Sequence, residues 1–355
     1  MKLLLLIILQ YFSFVATANS ALITEHVDIV GEKSIFIEGE IVKGDLIKFK
    51  KIAAKHIQSN QTPLRVILNS KGGDVNESIE IGKQIRNLLA STYVWGNTII
   101  SSTSEVSKDV LKRQANPSTA YSWANWRVVT PNEDIKETDI TKCYSSCVLI
   151  LLAGIEKTVT DNLDEHGARR GIPSIGIHRP YFDEKYFSKL TPNQAEKKYK
   201  DIEKVVGDYL NELGVSDLLI DRMLKSSSDS LELVNAENFK AFFNQIEPYY
   251  EEYMLAKCGS GDPNKFLTGQ DRIDFYSVLQ KRKEEFARRE QENPNEKNMD
   301  VFKTYIPDGY DQKYVIGLTE YVKMRSNQVS ECQQNEIISH QKKWAKSILM
   351  TYKTQ

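Results

Sequence analysis

Leu64-Arg65-Val66-Ile67-Leu68-Asn69-Ser70-Lys71-Gly72-Gly73-Asp74-Val75 is the stretch whose reading decides the fold. Its first five residues form a short apolar run, the pattern of a buried strand, and they lead directly into a diglycine. Behind the diglycine, residues 76–89 place Ile79, Ile81, Ile85, Leu88 and Leu89 at helical spacing. Thr92-Tyr93-Val94-Trp95 then reads as the next strand. Upstream, residues 34–42 alternate as a strand should, and Leu46, Ile47, Phe49, Ile52, Ala53 and Ile57 mark a helix over 45–57. Strand, helix, strand, turn, helix, strand in this order predicts an α/β fold whose strands pair in parallel through crossover helices. The glycine turn falls at the carboxyl end of a strand, where sites gather in open α/β sheets.

Two further segments bear on chemistry: Cys143-Tyr144-Ser145-Ser146-Cys147 and Ile177-His178-Arg179-Pro180. Together with the diglycine they offer a backbone that can approach an oxyanion, a hydroxyl that can attack and an imidazole that can take its proton. Singly, each has a blander meaning: Ser145 as a helix cap, His178 as a strand-end residue bonded to backbone, Gly72-Gly73 as a turn. Regular structure resumes over 143–154, where a small-residue start leads into Val148-Leu149-Ile150-Leu151-Leu152-Ala153, an apolar run that reads as a buried helix, and residues 174–178 read as a short strand. Between strand and serine, residues 97–140 are polar and aperiodic, with Trp123 and Trp126, and read as a functional loop or an inserted segment. Residues 183–213 read as one solvated helix ending at Gly214, followed by a helix over 217–224. From about residue 247 the chain turns to long charged helices, clearest over 271–292 and 315–353, whose charge runs read as solvated faces.

Over roughly residues 30–245 the chain resembles the Clp-protease/crotonase superfamily, and within it the peptidase branch. The resemblance is carried by Ile35-Phe36-Ile37-Glu38-Gly39-Glu40-Ile41, by Leu68 to Val75, by Ser145 nine residues before Gly154, and by Ile177 to Pro180. It implies a Clp protease/crotonase-like spiral of ββα units with an α-helical C-terminal extension, commonly assembled as a homo-oligomer, acting on a peptide or protein substrate without a cofactor. It further implies Ser145 as nucleophile, His178 as general base, and an oxyanion hole drawn from the Gly72, Gly73 and Ser146 backbone. The third triad member has no clean match. Strict counting places Leu231 where the acid belongs, with Asp229 and Glu232 as neighbours, and Asp229 is the candidate. A Ser–His dyad, a Ser–Lys mechanism through Lys71, and a non-catalytic binding or assembly protein of the same fold stand as alternatives. An acyl-CoA enzyme of the crotonase kind fits poorly with export. His166, in a charged glycine-containing loop, reads as a surface residue.

The chain ends bound these expectations. Lys2, the apolar stretch Leu3 to Ala16 and the small-residue motif Ala16-Thr17-Ala18 read as a cleavable export signal over 1–18, giving a periplasmic or secreted protein. The α/β domain then covers 19–246, with its insertion at about 97–140, and the helical region 247–355. No later segment approaches the ~20 apolar residues of a membrane span. A net charge of −1 gives no reason to propose nucleic acid or an anionic membrane as partner. Four cysteines in an exported chain are candidates for bridging. Cys258–Cys332 is the preferred pair, and Cys143–Cys147 is tight if its segment is helical. No histidine sits at ligand spacing from them, so no metal site is expected.

Overall fold

Arg65–Asn69 forms the strand that its apolar run predicts, and Val66, Ile67 and Leu68 are all buried, so both faces of this strand are covered. The computed structural model describes residues 20–27, 33–95, 98–101, 126–129, 141–160, 169–170, 174–182, 184–228, 230–234, 248–292 and 305–353. The expected leader over 1–18, Asp229, His166 and most of the expected insertion lie outside them.

The described residues before Pro248 and those from His340 onward form one unit, and Pro248–Ser339 a second. In the first, β1 (Leu22–Val27), β2 (Lys33–Glu38), β3 (Arg65–Asn69), β4 (Ser91–Trp95) and β8 (Lys157–Thr160) make one sheet in the order β1-β2-β3-β4-β8. β1 is antiparallel to β2, and every later neighbour pair is parallel. The crossovers are α1 (Asp45–Ser59) and α2 (Val75–Asn87), as the alternation predicts. α2 starts at Asp74, whose carboxylate accepts the Glu77 N–H at 2.8 Å, so the residue after the diglycine is the helix cap. The fold class is therefore mixed α/β, with a mainly parallel sheet.

The apolar run at 148–153 lies in a buried helix as expected, and the residues before that helix form a strand and a turn. Lys142–Tyr144 is a strand (β7), Ser145 a turn, and only Ser146–Leu152 is helical (α3). All of α3 is buried, and each fully covered Val, Leu or Ile contributes about 1.5–3 kcal/mol relative to exposure. β7 joins β10 (Ser174–Ile177) and β11 (Glu232–Leu233) in a second sheet, ordered β11-β10-β7. The aperiodic stretch also contains strands: β5 (Thr98–Ser101) and β6 (Trp126–Val129) pair in parallel, and β9 (Arg169–Arg170) runs antiparallel to β5. Their β-branched and aromatic residues favour extended backbone. The helix read over 183–213 is two: α4 (Glu184–Phe187) and α5 (Pro192–Glu212). Pro192 cannot sit inside a helix but fits its first turn, and Thr191 with Gln194 closes a capping box there. α6 (Asp217–Lys225) follows, capped by Ser216.

The second unit holds α7 (Pro248–Cys258), α8 (Pro263–Phe266), α9 (Gly269–Glu292) and α10 (Gln312–Lys353) up to Ser339. Leu267, Leu318 and Val322 form its small core with Phe266 and Phe275 against them. Cys258 is bridged to Cys332, with Cα atoms 5.6 Å apart. From His340, α10 belongs to the first unit, where Ala345 is buried in the main core and Gln341 links the backbone just before β3 to the end of α2, accepting from Leu64 N–H at 3.0 Å and donating to Leu88 C=O at 2.9 Å. Among the described residues no helix is long and apolar enough to cross a membrane.

Candidate active site

Three chain segments meet at their carboxyl ends because of hydrogen bonds set by register. Ser70, just past β3, donates its N–H to Lys142 C=O at 2.7 Å and accepts from Tyr144 N–H at 3.0 Å. β7 pairs in parallel with β10 through Tyr144↔Gly176, so Ser145 emerges beside Ile177, one residue from His178. Ser145 N–H donates to Gly176 C=O at 2.9 Å and fixes that step. Between these ends lies a cleft of 840 Å³, within the range of small-ligand and substrate sites. Gly72, Gly73, Ser145 and His178 all line it, with Glu38, Glu40, Lys71, Lys142 and Tyr181 around them.

Ser145 sits at φ 55, ψ −127, a backbone conformation that costs a non-glycine residue on the order of 1–3 kcal/mol. It occupies the N-cap position of α3, yet its hydroxyl makes no capping hydrogen bond. The serine thus holds the cap position without a side-chain capping bond, and it lines the cleft. Strand, strained serine turn and helix follow one another here as in a nucleophile elbow.

The diglycine is shaped to this turn. A Cβ on Gly72 would lie 2.8 Å from Ser145 Cβ and 3.0 Å from Ser146 N, so only glycine lets the two backbones touch. The Gly72 N–H, however, donates to Ser70 Oγ at 3.0 Å, and Ser70 Oγ donates to Gly39 C=O at 2.5 Å. Gly73 N–H makes no hydrogen bond among the described residues, while Gly73 is held by Asp74 N–H donating to Ile41 C=O and by Ile41 N–H donating to Gly72 C=O. Ser146 opens α3, where an N–H has no intrahelical acceptor. Gly73 and Ser146 are therefore the two uncommitted donors of the expected trio.

His178 is half-buried, with its Nδ1 at 2.8 Å from the Arg179 carbonyl oxygen. A carbonyl only accepts, so Nδ1 carries the hydrogen and the neutral ring presents the Nε2 lone pair. Tyr181 packs its ring 5.4 Å from the imidazole. Among the described residues no hydrogen bond joins Ser145 Oγ to His178. The acid position is occupied differently from the expected triad. β11 runs antiparallel to β10 with Ile177↔Glu232, which carries Leu231 opposite His178, and the Leu231 side chain lies against Gly176. Glu232 is engaged elsewhere, by Arg222 Nε and by Ser226 Oγ at 2.8 Å. Asp229 lies outside the described residues.

Several site groups carried no signal in the sequence. The Arg179 carbonyl is backbone and has none. Ser70 could have been found, since a serine two residues before a turn glycine is placed to bond its N–H. Cys143 and Cys147 are bridged, with Cα atoms 5.2 Å apart, because the turn at Ser145 brings a strand end and a helix start together. Among the described residues no group of His, Cys, Asp or Glu side chains is arranged to hold a metal ion. Comparison of the chain with protein-family models and with curated protein sequences finds no match.

Proposed function

We propose that the chain is a serine hydrolase acting on peptide bonds, built on a Clp-protease-like spiral and working in an oxidising, extracytoplasmic compartment. The observation that carries the reading is Ser145: a serine in a costly conformation at a strand–helix turn, its hydroxyl unused for capping, in one cleft with a histidine whose Nε2 is free. The parallel order β2-β3-β4-β8, with a glycine turn after β3 and the serine turn after β7, supports the spiral. Pairing of all four cysteines supports the compartment.

The mechanism follows from the donors. His178 Nε2 takes the Ser145 hydroxyl proton as Oγ attacks the substrate carbonyl carbon. The carbonyl oxygen becomes an oxyanion and meets the N–H groups of Gly73 and Ser146, each such donor worth about 2.7–4 kcal/mol in the transition state. The imidazolium returns the proton to the leaving amine, and water, deprotonated by the same nitrogen, releases the acid. The Arg179 carbonyl holds the tautomer and ring orientation that an acid holds in a triad. It is a neutral dipole, so it stabilises the imidazolium less than a carboxylate would, and turnover is expected to be slow.

A non-catalytic binding protein of the same fold is favoured by one observation, the leucine opposite His178. Labelling with a fluorophosphonate decides between them. The hydrolase reading expects a single adduct on Ser145, lost in Ser145→Ala and strongly slowed in His178→Ala. Labelling that survives in Ser145→Ala refutes it.

A further inference from the structure

We propose that the Cys143–Cys147 disulfide is a positioning clamp for the nucleophile, holding Ser145 in its attack conformation; this rests on the hydrolase reading above. The bridge encircles Ser145 symmetrically, two residues to either side, and both cysteines are fully buried. The turn's own side chains add no restraint. The Ser145 hydroxyl caps nothing, and Ser146 Oγ is buried with no hydrogen-bond partner. Among the described residues, Ser145 N–H to Gly176 C=O, Val148 N–H to Ser145 C=O, the pairing of β7 and the packing of Gly72 hold it besides the bridge. A strained residue persists where its surroundings over-determine it, and the disulfide supplies that constraint.

Distances show what the clamp forbids. Four residue steps of extended chain span roughly 13 Å, whereas Cys143 and Cys147 have Cα atoms 5.2 Å apart. β7 therefore cannot run on through Ser145 as a strand. A helix could meet the distance, since four steps rise only about 6 Å. That alternative is closed by the pairing of Cys143 with Ile175 in the β7–β10 ladder and with Ser70 beyond β3. Bridge and ladder together leave a sharp turn as the remaining path. A ring this small gains about 2 kcal/mol from loop-closure entropy, roughly half of what the longer loop gains, because the term grows with the logarithm of loop length. Cys258–Cys332, separated by 74 positions, is by contrast an ordinary long-loop staple. The two disulfides thus have different work: one stabilises the second unit, the other sets geometry.

The test uses the full chain and the second disulfide as its control. Fluorophosphonate labelling is resolved into its maximal rate and its half-saturating concentration for wild type, Cys143→Ala/Cys147→Ala and Cys258→Ala/Cys332→Ala, at a temperature where all are folded. Loss of the clamp is expected to cut the maximal rate about 100-fold, as small misplacements of a reacting group do, with half-saturation little changed. Loss of Cys258–Cys332 lowers the melting temperature and leaves the rate unchanged. Where the alanine pair does not fold, Cys143→Val/Cys147→Ala refills the buried volume. A clampless variant labelled as fast as wild type overturns the proposal and leaves the hydrolase reading standing. Wild type that does not label at Ser145 ends the hydrolase reading, and the clamp then has no nucleophile to position. A readout independent of catalysis is the effect of Ser145→Gly on melting temperature. The gain expected in wild type vanishes in the clampless background if the bridge imposes the strain, and an equal gain in both overturns the proposal.

Discussion

Replacing Ser145 with glycine removes the strain of its backbone conformation, and the balance can be worked from the structure. At φ 55, ψ −127 a residue with a Cβ gives up about 1–3 kcal/mol. Glycine recovers that but costs about 0.5–1 kcal/mol more in backbone entropy on folding. The hydroxyl lost in the exchange makes no capping bond. The net expectation is a gain of up to about 2.5 kcal/mol, at about 2–4 °C per kcal/mol for a domain of this size. Ser145→Ala keeps the Cβ and hence the strain, so it should melt within about 0.5 kcal/mol of wild type. Both variants should be inert towards a fluorophosphonate. Thermal unfolding of the three proteins under identical conditions checks this. If glycine melts below alanine, Ser145 is not held against its preference, and the idea of a strained nucleophile is refuted.

Two further predictions concern the scaffold. Gln341→Ala leaves Leu64 N–H and Leu88 C=O buried without partners, at about 1–3 kcal/mol each, so denaturant unfolding of the first unit should shift by roughly 2–6 kcal/mol. A shift below about 1 kcal/mol would show that water replaces the amide. His56 is buried, with Nδ1 2.8 Å from Glu25, and burial lowers its pKa from 6.5 despite the carboxylate. The unfolded chain therefore binds the proton first as pH falls, so stability is full above 6.5 and declines below it towards the lowered value. Melting temperature measured from pH 7 to 5 should fall, and His56→Gln should flatten that slope; an unchanged slope in the variant sinks the assignment.

What the sequence discloses and what it hides follow from the range of each interaction. The strand before the diglycine was legible because Val66, Ile67 and Leu68 are buried on both faces and form a continuous apolar run. The helix after it was legible from its periodicity. Lys142–Tyr144 was not, because a three-residue strand shows no period and its partners, Ser70 and β10, are distant in the chain. The turn at Ser145 was hidden for the same reason, and it is what relieves the tightness expected of a Cys143–Cys147 bridge. The return of α10 to the first unit combines apolar packing by Trp344, Ala345, Ile348 and Leu349 with Gln341, whose two partners are backbone groups more than 250 positions away. At the site, side chains could be nominated from order and spacing. Which N–H groups are already committed, and which carbonyl holds the imidazole, are matters of backbone geometry with no residue type to announce them.

The most direct measurement is a crystal structure of the full chain after reaction with a fluorophosphonate. The account predicts a tetrahedral phosphorus bonded to Ser145 Oγ, with its oxygen 2.7–3.1 Å from the N–H groups of Gly73 and Ser146, and with His178 Nε2 facing the Ser145 oxygen. Phosphorus on another residue, or on Ser145 with its oxygen turned to solvent and His178 facing away, contradicts it.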